Sequence, residues 1–279
     1  VTIPPLTLNN GVSIPQLGFG TFQVPPESTR EAVLTAFEVG YRHIDTAQMY
    51  RNERGVGQAV ADSGLARDDV FITTKLNNNG HRRDDALRLT DASLAALGVE
   101  QLDLYLVHWP LPTIDVDYVE TWKAMVEVLE AGKTRAIGVS NFTQHHLERI
   151  IDATGVVPAV NQIEAHPYLA NDDLRAFGTE RGIVTEAWSP LAQGKVLGDT
   201  TLEAIAARAG RTVAQVTLRW HLQRGDVVFP KSSTRERMAE NLALFDFTLS
   251  AEDMAAIDGL DRGERIGPDP EVFASIPRD

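Results

Sequence analysis

The chain has 279 residues, 43% hydrophobic and 23% charged, with no cysteine and a formal net charge of −13. The lack of cysteine excludes disulfides, thiolate nucleophiles and Cys-ligated zinc or iron–sulfur centres, and so acidic a surface is a poor partner for nucleic acid or an anionic membrane. No apolar run approaches the ~20 residues that cross a bilayer, and the opening "VTIPPLTLNNGVSIPQLG" lacks the pattern of a secretory leader, so a cytoplasmic protein is expected.

The first signal along the chain is Asn10-Gly11 between alternating apolar residues, the mark of a hairpin. Short apolar runs follow at 16–20, 41–45, 70–76 and 102–109, and then at 134–141, 158–164, 183–189 and 227–232. Several are near-continuous in Val, Ile and Leu, as strands buried on both faces are. Amphipathic segments lie between them. "STREAVLTAFEVG" offers Ser28 as cap and Gly40 as stop, and "DDALRLTDASLAALG" sets Leu87, Leu94 and Leu97 on one stripe. The interval after the seventh run holds two helices, about 200–209 and 213–224. "TRERMAENLALF" and a last helix opened by Ser250 end the series. Eight strands alternating with helices predict an α/β fold, a single (β/α)8 barrel over 1–279. The hairpin would cover the barrel bottom, and the last helix is extra. A doubly wound sheet is the alternative, but no linker divides the units.

Function in such a barrel gathers at the carboxyl ends of the strands. Those ends carry Gly20, Thr21 and Phe22, then Asp45, Lys75, His108, Ser140, Asn141, Gln162, Trp188, Ser189, Lys231 and Ser232, with Tyr50 in the loop after Asp45. Asp45, Tyr50, Lys75 and His108 form a chemically sensible set. An ammonium beside a phenol favours the phenolate and is expected to lower its pKa from ~10. An Asp can hold the Lys, and a His can orient a carbonyl. Such a group protonates an oxygen that gains negative charge when hydride attacks its carbon. Taken singly, Tyr50 reads as a packed loop tyrosine, His108 as a core histidine and Lys75 as a surface lysine. Their shared place at the strand exits argues against those readings. "GFGTF" and "GVGQA" lack the third glycine of a dinucleotide fingerprint, and the Gly-Lys-Thr of "EVLEAGKT" reads as a helix stop. A metal-dependent hydrolase built from His and Asp at the strand ends is opposed by Lys75, and no metal is expected.

The motifs "GYRHIDTAQMYRNERGVG", "FITTKL", "LDLYLVHWP", "AIGVSNF", "AVNQIEAHP", "WSPLAQGKVL" and "FPKSSTRERMAENLALFDF" resemble those of the aldo-keto reductases, especially the bacterial group with 2,5-diketo-D-gluconate reductases. The resemblance covers nearly the whole chain. It implies NADPH-dependent reduction of a small-molecule carbonyl, with Asp45, Tyr50, Lys75 and His108 as catalytic tetrad and Tyr50 as general acid. It also implies that NADPH/NADP+ meets Gly20, Thr21, Phe22 and Asp45; that Ser140, Asn141 and Gln162 hold the carboxamide; and that Trp188 stacks on the nicotinamide. Ser189, Leu191, Gln193 and Gly194 would surround the pyrophosphate. Lys231, Ser232, Ser233, Thr234 and Arg237 would meet the 2′-phosphate end, with Glu240 and Asn241 near adenine. Phe22, Met49, Asn77, Trp109 and Phe142 are the expected substrate pocket. Asn77 departs from the resemblance, since many relatives carry an aromatic residue there. The resemblance also implies a monomer. The rival reading is a cofactor-binding regulatory subunit with little turnover.

Overall fold

The structure is a computed structural model that describes residues 2–276. Strands β1 (Pro5–Thr7) and β2 (Ser13–Pro15) pair antiparallel with Leu6 opposite Ile14, and Gly11 turns the chain between them at φ 85°. Leu8 and Ile14 are buried in a cluster with Phe71, Leu104, Leu106, Ala136, Val160 and Val227. The hairpin therefore closes one end of the barrel with its own apolar side chains. Asn9 and Asn10 fasten it by donating to the carbonyls of Pro158 and Arg135 at 3.0 and 2.9 Å.

The remaining strands alternate with helices: β3 (Phe19–Gly20), α1 (Pro26–Val39), β4 (His43–Asp45), α2 (Glu53–Asp62), β5 (Phe71–Leu76) and α3 (Arg83–Leu97). Next come β6 (Leu102–Val107), α4 (Tyr118–Glu130), β7 (Thr134–Ser140), α5 (Gln144–Thr154), β8 (Val160–Glu164), α6 (Asp172–Glu180) and β9 (Val184–Trp188). The chain ends with α7 (Thr200–Ala209), α8 (Val213–Gln223), β10 (Val227–Val228), α9 (Arg235–Leu242) and α10 (Ala251–Asp258). From β3 to β10 every strand pairs parallel with its sequence neighbour. A parallel bridge between Leu17 and Val228 joins the two edges, so the sheet closes into the expected (β/α)8 barrel. β5 and β6 are buried along their whole length, as their unbroken apolar runs require. Trp122, Met125 and Val128 of α4 pack with Tyr105, Val107 and Ile137 in the layer between helices and barrel.

α1 begins two residues before Ser28, which lies inside the helix and caps nothing. Pro26 occupies the first turn, where a missing N–H costs no hydrogen bond and φ is already helical. Ser250 does cap α10, reciprocally with Asp253. Among the described residues no helix is long and apolar enough to cross a membrane.

Candidate active site

The parallel strands end together, and their exits bring Asp45, Tyr50, Lys75 and His108 into one group. Lys75 is fully buried at the end of β5. Its ammonium donates to Asp45 Oδ1 at 2.7 Å, to the Thr46 carbonyl at 2.9 Å and to Tyr50 Oη at 3.4 Å. All three of its donors are thereby aimed. The His108 ring stands edge-on to Tyr50 with centroids 5.8 Å apart, and Phe22 leans on the other side at 5.1 Å. A short 3₁₀ turn at Gln48–Tyr50 carries the phenol inward, ended by Arg51 in the left-handed region at φ 58°.

Electrostatics refine one expectation. Burial raises the pKa of Tyr50; Lys75 lowers it without cancelling the rise, so the phenol stays protonated at neutral pH rather than being pulled toward phenolate. Lys75 is itself lowered by burial, but Asp45, Tyr50 and Glu186 together leave it raised and charged. Burial and the neighbouring ammonium push His108 well below its ordinary value, and its ring is neutral. The Nδ1 of that ring is buried without a partner.

The next ring of residues is tied together around Asn141, which adopts φ 64°. Asn141 Nδ2 donates to the His108 carbonyl at 2.9 Å and to Ser140 Oγ at 3.1 Å, while its Oδ1 accepts from Trp188 Nε1 at 2.8 Å. Ser140 Oγ donates to the Gln162 carbonyl at 2.8 Å. Gln162 spends both amide hydrogens within the protein, on Asp45 Oδ2 at 2.8 Å and on Glu186 Oε2 at 2.7 Å. Sequence reasoning missed Glu186, although a glutamate inside an apolar strand run is itself a signal.

Gly20 and Thr21 are buried at the rim. A side chain at Gly20 would put Cβ 2.4 Å from the Phe229 carbonyl, and Thr21 Oγ1 donates to the Asp45 carbonyl at 3.0 Å. Past Trp188, Ser189, Ala192, Gln193 and Gly194 all take positive φ, coiling the chain beside the mouth, with Leu191 half-buried among them. On the far rim Lys231, Ser233, Thr234 and Arg237 are exposed, while Ser232 and Asn241 are buried. Thr234 caps α9 by accepting from the Arg237 backbone N–H at 3.3 Å. Among the described residues neither Lys231 nor Arg237 has a carboxylate partner, whereas Arg235 pairs with Glu38. Glu240 accepts from Thr212 Oγ1 at 2.7 Å.

Of the expected pocket, Phe22 is exposed, Met49 and Asn77 are half-buried, and Trp109 stacks against Phe273 of the C-terminal segment at 4.3 Å. Phe142 corrects the expectation. It is buried, edge-on to Tyr118 and His146 in the layer under the helices, because the turn at Asn141 sends the next side chain outward from the barrel. Asn77 is held by two local bonds: its N–H donates to Gln48 Oε1 and its Oδ1 accepts from the Asn78 N–H, each at 2.8 Å. The C-terminal segment is drawn over the mouth by Glu164, which accepts from the N–H groups of Ile266 at 2.6 Å and Gly267 at 2.9 Å. Gly267 lies so close to Trp188 that a Cβ there would be 2.3 Å from the indole.

Residues 16–262 match the model of the aldo/keto reductase family. An aldo-keto reductase of Mycolicibacterium smegmatis is 51% identical over 270 residues, 97% of this chain and 98% of that protein. Methylglyoxal reductase DkgA of Escherichia coli K12 is 47% identical over 270 residues, 96% of this chain and 97% of its own. A solved structure of a Gox0644 mutant in complex with NADPH superposes with a TM-score of 0.94 at 46% identity, covering 98% of this chain and 99% of that one. With its barrel, its four clustered side chains and this breadth of match, the chain belongs to the aldo/keto reductase family of oxidoreductases.

Proposed function

We propose that this aldo-keto reductase converts small polar carbonyl compounds, dicarbonyls and keto-sugars among them, to alcohols with NADPH, and that Tyr50 is the proton donor. The observation that carries the reading is the Lys75 ammonium, held by Asp45 at 2.7 Å and reaching Tyr50 Oη at 3.4 Å. NADPH, when bound, would supply the hydride that reaches the carbonyl carbon. The carbonyl oxygen, gaining the electron pair, is met by the Tyr50 hydroxyl and by an N–H of the neutral His108 ring. Tyr50 passes its proton to that oxygen, and the adjacent ammonium stabilises the phenolate left behind. Asp45 keeps the ammonium in place, since a buried lysine without a counter-charge would shed its proton.

The rim suits an anionic dinucleotide. Among the described residues Lys231 and Arg237 have no carboxylate partner, and they stand exposed beside the start of α9, a natural place for the 2′-phosphate. The loop of positive φ at 189–194 fits the pyrophosphate, and Trp188 offers a flat face for the nicotinamide. Gln162 spends its amide hydrogens inside the protein, so its Oε1 is the atom that would accept from the carboxamide N–H. Asn141 has both amide hydrogens in use and offers only its remaining Oδ1 lone pair. The relative named methylglyoxal reductase and the NADPH complex of Gox0644 support both substrate class and cofactor. Among the described residues the exposed large apolar side chains are Phe22, Leu197, Val272 and Ile276, all on the mouth loops or the C-terminal segment, which supports a monomer.

The test is NADPH oxidation with methylglyoxal and a keto-sugar by the parent and Tyr50→Phe. Turnover should fall by about 10²–10⁴-fold, the usual contribution of general acid catalysis, while NADPH binding stays close to the parent's. Near-normal turnover in Tyr50→Phe would remove Tyr50 from the mechanism.

A further inference from the structure

Glu186 is a buried ionisable group that the chemistry of Tyr50 leaves unused. It lies on β9 two residues before Trp188 and is fully buried. One nitrogen, Gln162 Nε2, donates both to Glu186 Oε2 at 2.7 Å and to Asp45 Oδ2 at 2.8 Å. The charged and polar groups that reach Glu186 are Asp45 from β4, Lys75 from β5 and Gln162 from β8. On its other side β10 sets Val227 opposite it in register.

One amide thus bridges two carboxyls, and only Asp45 touches the ammonium. If both carboxyls were ionised around a single Lys75, a net negative charge would sit among fully buried groups. The ammonium selects Asp45 as the ion. Glu186 Oε1 points the same way: it is buried with no hydrogen-bond partner among the described residues, and a bare carboxylate oxygen there is far harder to bury than a neutral carboxyl. Burial and the charge of Asp45 push its pKa up to about 8, with the Gln162 hydrogen bond and Lys75 pulling in the opposite direction.

We propose that Glu186 is held as the uncharged acid during turnover and is a positioning residue: by leaving Asp45 as the single counter-charge, it keeps the field of Lys75 directed at Tyr50. The inference rests on Tyr50 as general acid. An ionised Glu186 would partly cancel the ammonium, the Tyr50 phenolate would be less stabilised, and proton donation would slow. The proton stays on Glu186 throughout, because the Gln162 NH2 group has no lone pair with which to relay it. Reduction is therefore expected to decline as pH rises through the titration of Glu186.

Glu186→Gln keeps the shape and the acceptor for Gln162 but cannot ionise. Its ratio of kcat at about pH 9.5 to kcat at about pH 6.5 should exceed the parent's by roughly tenfold, the worth of one pKa unit at Tyr50. Superimposable profiles would overturn the proposal, since a purely structural Glu186 would not change the ratio. A second measurement uses the cofactor-free protein and infrared absorption. The parent should show a protonated-carboxyl band that disappears with a midpoint about pH 8 and is missing from Glu186→Gln. If the parent shows no protonated-carboxyl band at neutral pH, Glu186 is ionised there and the proposal fails, even should Glu186→Gln not fold. Failure of the general-acid reading is separate: it shows as turnover surviving in Tyr50→Phe, while the infrared titration still reports the charge of Glu186.

Discussion

A lysine ammonium fully buried beside a phenol needs a reason, because desolvating a charge is among the largest penalties in a protein interior. Asp45 and the Thr46 carbonyl supply it, at 2.7 and 2.9 Å, and the remaining donor direction falls on Tyr50. Arg237 is the opposite case: exposed and unpaired with any carboxylate among the described residues. If its guanidinium meets the 2′-phosphate, Arg237→Ala should weaken NADPH by about tenfold or more, the worth of a charge-assisted contact of roughly 1.5–3 kcal/mol, and leave NADH nearly unaffected. Fluorescence titration with each cofactor measures this, and equal weakening of both would make Arg237 a support for its loop. At this scale the four clustered side chains were legible from residue type at a strand exit. Glu186 was not, because it lies one layer deeper, although alternation along β9 sets it on the same face as Trp188. The upward direction of the Tyr50 shift was hidden as well. A lysine in the sequence announces an attraction, but only burial tells how much desolvation opposes it.

Elements were legible wherever an apolar run or a stop residue marked them, and less so at their ends. The eighth run was read as 227–232, yet β10 is only Val227–Val228, since Pro230 has no N–H for a ladder and the chain must leave the barrel there. The Ser28 cap failed for the same kind of reason: a proline earlier in the chain starts α1 more cheaply. The loop after β5 opens with "NNNGH", polar residues that by themselves say nothing of whether it is ordered. Gln48, the Asn78 N–H and the bond from Asn78 Nδ2 to the Ser275 carbonyl at 2.8 Å hold it in place. Asn77 is consequently a fixed, half-buried part of the rim, its Oδ1 engaged by the Asn78 N–H. An aromatic side chain there would replace that dipole with a flat apolar wall. Asn77→Trp should shift the ratio of kcat/KM toward aromatic aldehydes over small dicarbonyls by roughly tenfold, within the ~1–3 kcal/mol that one pocket group commands. Steady-state kinetics on both substrate classes decide it. An unchanged ratio would place Asn77 outside the pocket.

Across the whole molecule, the barrel does two incompatible things at once. It needs a dry interior to hold eight strands together, and it places an ammonium, two carboxyls and a phenol in that interior. The stability of the fold must then carry the signature of its site through proton linkage. Folded Glu186 keeps its proton up to about pH 8, whereas in the unfolded chain the carboxyl ionises near the ordinary value of 4.5. Between those limits unfolding releases a proton, so rising pH favours the unfolded state. The stability that Glu186 contributes is full below about pH 4.5, is lost progressively up to about 8, and changes no further above that. Glutamine has no such proton. The stability of Glu186→Gln relative to the parent should accordingly rise with pH across that window, by up to about 1.4 kcal/mol for each pH unit. Urea unfolding of both proteins at a series of pH values gives the difference directly, and titrating groups remote from Glu186 cancel in it. A difference that stays level from pH 4.5 to 8 would mean that folded Glu186 is ionised, and that the barrel holds three buried charges around Lys75 rather than two.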